Sequence, residues 1–94
     1  MTTLNDHERE LARHALGLTN GRKQSYRNVY VVGYEDDSGN HATWRGLVER
    51  GLALRGENLV DGGMDCFWLT RAGAEAALAP GETLDPEDFP EPRQ

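Results

Sequence analysis

The stretch from His41 to Thr70 does most to limit what this chain can fold into. Trp44, Leu47, Val48 and Gly51 fall at i, i+3, i+4 and i+7, the spacing of one helix face. Gly51 supplies a stop, and Leu52 is the apolar residue that packs back after a glycine C-cap. Leu52 to Arg55 then begins an extended run. Gly56 to Asp65 is polar and holds Gly62-Gly63, and Cys66 to Thr70 is an aromatic-rich returning strand. A helix feeding a two-stranded ribbon is the second half of a winged helix. The predicted fold class is therefore α+β: a small winged-helix-like domain of helix, strand, helix, two-stranded wing and short C-terminal helix.

The flanking sequence completes that order. Asn5 can cap a helix over residues 5–16, with Glu8 at the capping-box position and Asp6 in the first turn. Leu4, Leu11, Ala15 and Leu18 form its apolar face, widened by Ala12 and Leu16, and Gly17 ends it. Asn20-Gly21 marks a turn. Residues 28–34 are β-branched and aromatic, a strand apolar on both faces and so expected to be covered on both. Asn40, or Ser38 before it, is placed to cap the 41–51 helix. Thr70 caps a short helix over 71–79. Four prolines and five acids fall in 80–94, which predicts one folded domain over 1–79 and a disordered acidic Pro-rich tail over 80–94.

Charge narrows the function classes. The 94 residues carry a net −6. In the tail, Glu82, Asp85, Glu87, Asp88 and Glu91 against Arg93 give −4, which leaves −2 for the body. A DNA binder usually gains most of its affinity from Lys and Arg neutralising phosphates, and this body has no such excess. One cysteine, no apolar membrane-length run and no signal-like N-terminus point to a cytoplasmic protein.

The segments RHALGL, SYRN, LVERGLALR and GGMDCFWLTRAGAEAAL resemble a group of small phage and prophage proteins, and the resemblance covers residues 9–78. Those share a helix ending in HALGL, a basic SYRN-like turn and a ribbon closed by a T-x-x-G-x-x-A pattern. The resemblance implies a phage or prophage origin and the cytoplasm of a host cell, and it brings no activity with it. Two departures stand out. Residues 19–40 read as turn and strand where a helix-turn-helix would have its first helix, and Glu49 faces outward from the would-be recognition helix.

The side chains that carry chemistry divide into three sets. Glu35, Asp36, Asp37, Asp61 and Asp65 can form an anionic surface suited to a basic, nucleic-acid-handling partner such as a host defence complex. Arg22, Lys23, Arg27, Arg45, Arg50 and Arg55 would serve the alternative, a winged-helix DNA-binding regulator, possibly dimeric. His7, His14, His41 and Cys66 are the soft metal-ligand candidates, but no Cys-x-x-Cys or His-x-x-x-His pair occurs. Nothing local lowers the Cys66 pKa, and no nucleophile–base pattern appears, so neither cofactor, metal nor enzymatic activity is expected. Trp44 and Trp68 read as core residues. The expectation is a non-enzymatic phage-type accessory protein that binds a host or phage protein.

Overall fold

The computed structural model describes residues 3–18, 21–33, 39–60 and 64–89, with backbone alone at 57–60 and 64. Within them three helices and three strands follow in the order α1 (Asp6–Leu16), β1 (Tyr30–Gly33), α2 (Asn40–Glu49), β2 (Ala53–Val60), β3 (Met64–Leu69) and α3 (Arg71–Ala77). The strands form one antiparallel sheet in the order β1-β3-β2. The chain is thus a small α+β domain, and the element order expected from the sequence is the one seen.

Local chemistry accounts for the helix ends. The Asn5 Oδ1 accepts from the Glu8 N–H at 2.7 Å while Glu8 Oε1 accepts from the Asn5 N–H at 3.0 Å, a closed capping box. α1 and α2 both end on a left-handed glycine, Gly17 (φ 80°) and Gly51 (φ 76°). The following leucine N–H then returns to the helix: Leu18 to the Arg13 carbonyl and Leu52 to the Leu47 carbonyl, both at 2.9 Å. Both leucines are buried. α2 departs from expectation at its start. Gly39 is its N-cap, without a side-chain cap, and Asn40 is already helical, sending its amide to the Tyr30 hydroxyl. Thr70 caps α3 as its position predicts, accepting from the Gly73 N–H. Gly73 is required for space: a Cβ there would lie 2.0 Å from the Leu52 carbonyl oxygen.

Strand parity sorts the sheet into two unlike faces. Tyr30, Val32, Ala53, Asp65, Phe67 and Leu69 share the face on which the helices pack. Phe67 and Trp44 are fully buried there and stack with ring centroids 5.6 Å apart, and the Tyr30 ring lies tilted against Trp44 at 5.4 Å. The α1 apolar residues Leu4, Leu11, Ala12, Ala15, Leu16 and Leu18 all join this core. Among the described residues the opposite face carries no helix, although Cys66 at its centre is buried. Val29 and Val31 are exposed on it, so the expectation that this strand is covered on both sides is corrected. Trp68 sits there too, opposite Leu54 and only half-buried, so it is not the core residue that its type suggested. Ladder pairing continues beyond β1 by side chain. The Asn28 amide both donates to the Leu69 carbonyl and accepts from the Leu69 N–H, at 3.0 and 2.8 Å.

The segment after α3 corrects the predicted disordered tail over residues 80–89, while residues 90–94 of that tail lie outside the described residues. Pro80 to Phe89 is a strap against the body. Thr83 bridges to Gln24, its N–H donating to the Lys23 carbonyl and its carbonyl accepting from Ser25. The Ser25 hydroxyl accepts from the Asp85 N–H at 2.8 Å. Glu82 grips the Arg13 guanidinium with both oxygens, the Nη2–Oε2 contact being 2.7 Å. Phe89 is buried in the main core, with Leu84 packed beside it, and its carbonyl accepts from Arg71. Acidic, Pro-rich composition predicts disorder only when there is little to bury, and two apolar anchors plus one ion pair suffice here.

Candidate functional site

The described residues include one member of the anionic set and all of the basic set. Of the anionic set, Glu35, Asp36, Asp37 and Asp61 lie outside the described residues. Asp65 is fully buried on the core face of β3, so it is not part of an acidic surface. Its carboxylate oxygen Oδ2 accepts from Arg55 Nε at 2.6 Å and lies 2.9 Å from His41 Nε2. This buried cluster was not legible from spacing, because its members come from β2, β3 and the first turn of α2. It ties α2 to the sheet, with the His41 ring edge against Phe67. Cys66, next in the chain, points to the opposite face by strand alternation and is not presented to His41. Among the described residues, no group of three His, Cys, Asp or Glu could hold a metal ion.

The basic set is divided between internal ties and surface. Arg50 pairs with Glu8 at 2.7 Å and donates to the Thr3 carbonyl, joining the end of α2 to the start of α1. Arg55 belongs to the Asp65 cluster. Arg27 donates to the His14 carbonyl at 2.8 Å. Three groups do meet. Tyr26 lies across Gly17, where a Cβ would overlap its ring, and it receives the Arg22 guanidinium at 4.5 Å and the Arg27 guanidinium at 5.4 Å from its centroid. Lys23 and Arg45 are exposed.

The strap carries the clearest electrostatic effect. Hydrogen bonding to Arg13 pulls the Glu82 carboxyl down to about 2, against the opposing effect of burial, with help from the Ala79 N–H. The same hydrogen bond raises the Arg13 pKa.

The most unusual surface is the bare face of the sheet. Val29, Val31 and Leu54 are 44%, 42% and 48% exposed, and they account for three of the four large apolar side chains most open to solvent among the described residues. Trp68 lies beside Leu54, and Cys66 opposes Val31. The side chains described on this face bear no charge. Scattered apolar residues are ordinary on a surface, whereas a contiguous group on one sheet face marks an interaction site. Sequence reading overlooked it by taking both faces of β1 as covered; an apolar run with no helix to spare for its second side was the available signal. No helix among the described residues is long and apolar enough to cross a membrane. No family model, curated protein or solved structure matches the chain.

Proposed function

We propose that this chain is a non-enzymatic protein-binding domain that docks a partner on the bare face of its sheet. The observation that carries this reading is the uncharged row Val29, Val31 and Leu54, exposed beside a half-buried Trp68, while the described helices pack on the other side. The net charge of −6 favours a cationic partner, since complementary charge speeds encounter and rejects acidic competitors. The phage origin implied by the resemblance fits such an accessory protein, its partner being a host or phage protein and, in the sharpest version, a nucleic-acid-handling defence system. A photo-crosslinking residue placed at Leu54 or at Arg45 tests the reading, because both are exposed but lie on β2 and α2 respectively. Partner proteins should cross-link from Leu54 and not from Arg45, and the product should vanish with Val31→Lys. Cross-linking from Arg45 alone would overturn it.

A second reading, the winged-helix DNA regulator, is favoured by one observation: α2 leads into the β2–β3 hairpin and β1 pairs on the far side of β3. The Arg22–Tyr26–Arg27 cluster would supply its phosphate and stacking contacts. Titration with duplex DNA at low and physiological salt tests this. Micromolar binding that falls steeply with salt would support the regulator in place of the protein-binding domain.

A further inference from the structure

The strap is held as a separate peptide would be. Thr83 pairs its backbone with Lys23 and Ser25, and the Ser25 hydroxyl accepts from the Asp85 N–H. Glu82 adds the ion pair to Arg13, Phe89 adds its buried ring with Leu84 beside it, and Arg71 donates to the Phe89 carbonyl. None of these contacts requires strap and seat to belong to one chain. The link between them is different in kind. Ala79, Pro80 and Gly81 join the end of α3 to Glu82, and all three are exposed, so straightening them uncovers no core. Two hydrogen bonds close the turn: Glu82 N–H to the Ala79 carbonyl at 3.1 Å, and Ala79 N–H to Glu82 Oε1 at 2.8 Å. Ala79 precedes a proline and Pro80 has a fixed φ, so both are biased toward extended backbone. Gly81 therefore decides between turn and straight link. It lies at φ 86°, and nothing stands within 4 Å of where its Cβ would be. Glycine is needed there for chain direction, not for space.

We propose that the strap exchanges between copies: with Gly81 straightened, residues 82–89 of each chain seat on the body of the other and close a two-fold dimer. The seat itself selects the occupant. Arg13, Lys23, Ser25 and Arg71 are met by Glu82, Thr83, Asp85 and Phe89, and a second copy carries that same segment. Exchange reuses every seat contact and gives up the two bonds of the turn. A link of three residues is of the short kind that invites swapping. The same short link holds each strap near its own seat at an effective concentration on the order of 1 mM, so the native chain dimerises only when concentrated. The proposal does not depend on docking at the bare face.

Gly81→Val tests it. A β-branched residue is strained in the left-handed turn and at ease in the straight link. Each link disfavours the closed form by a factor of at least about 5, and a dimer relieves two, so its dissociation constant should fall by roughly 25-fold or more. Sedimentation of the full chain should show a mass rising from 10.5 kDa toward twice that value, at correspondingly lower concentrations for Gly81→Val. A Gly81→Val chain that is folded and monomeric up to about 1 mM would overturn the proposal. A second experiment identifies the contact. In Arg13→Glu and in Glu82→Arg, like charges meet within one chain, whereas mixing the two variants restores opposite charges only across chains. The mixture should form a one-to-one heterodimer that neither variant matches alone. If Gly81→Val dimerises but the folded mixture stays monomeric, association runs through another surface and strap exchange is refuted. If either charge variant misfolds alone, recovery of fold and dimer mass on mixing supports exchange, and a Gly81→Val dimer that survives Phe89→Ala refutes it.

Discussion

Replacing Phe89 by alanine separates a packed strap from a loose tail. Phe89 is 6% exposed and part of the main core. Burying a phenylalanine contributes about 1.5–3 kcal/mol, and Phe→Ala in a closed core costs about 3–5 kcal/mol once the cavity is included. The strap can relax into part of that cavity, so the expected loss is about 2–3 kcal/mol. For 94 residues the whole stability is roughly 5–14 kcal/mol, so the loss is a large fraction of it. At about 4–8 °C per kcal/mol in a domain of this size, the midpoint should fall by roughly 8–24 °C. The assay is thermal and urea unfolding followed by circular dichroism, with Asp88→Ala as control. Asp88 is exposed on the same strap and should change stability by no more than about 0.5 kcal/mol. If Phe89→Ala shifts the midpoint no more than Asp88→Ala does, the strap does not contribute to the fold and the reasoning fails.

Two further outcomes follow from the buried charges. Because the folded Glu82 carboxyl is depressed to about 2 from 4.5, its contribution is fully present above the unfolded value and is lost as pH falls from about 4.5 toward 2. Glu82→Gln should therefore cost about 1–2 kcal/mol at pH 7 and flatten the acid limb of a stability–pH curve; an unchanged limb would show that Arg13 does not hold it. Asp65→Ala removes the carboxylate that Arg55 and His41 share. Losing one side of a buried pair costs about 3–5 kcal/mol, and the partial exposure of Arg55 sets the expected value near 2–3 kcal/mol by denaturant titration. A loss within 0.5 kcal/mol would mean that the cluster braces nothing.

The fold was legible wherever a local signal sufficed. Asn5 with Glu8, Gly17, Gly51 with Leu52, and Thr70 each fix an element end within a few residues and occur as read, whereas Leu18, read as part of the first helix's face, lies past its end and folds back on it. What the sequence concealed was long-range. Arg13 and Glu82 are 69 residues apart, and Asp65 meets Arg55 and His41 only once three elements have assembled. Composition alone made Asp65 a surface acid and Phe89 part of a disordered tail. A lone phenylalanine among acids and prolines was the sign that the tail had something to bury. The bare face was hidden by the opposite error: β1 looks buried because both of its faces are apolar, but the helices of so short a chain cover only one.

The fate of the arginines joins fold to function. Of ten basic residues, Arg13, Arg27, Arg50, Arg55 and Arg71 are tied to carboxylates or carbonyls of other elements. A guanidinium already neutralised inside the molecule adds little to phosphate binding, because it has few counterions of the nucleic acid left to release. Of the six bases that would serve a DNA regulator, Arg50 and Arg55 are neutralised in this way by carboxylates, while Arg27 donates to a carbonyl and keeps its charge and Arg22 leans on Tyr26. Internal pairing thus uses much of the cationic surface to join α1, α2, the sheet and the strap. The apolar side chains of Val29, Val31 and Leu54 are used in no such way. Leaving them in water sacrifices burial that a covering helix would provide, and a partner laid on that face recovers it. The argument for a protein partner therefore rests on the parity of β1: its even residues complete the core, and its odd residues turn away from it toward the open side.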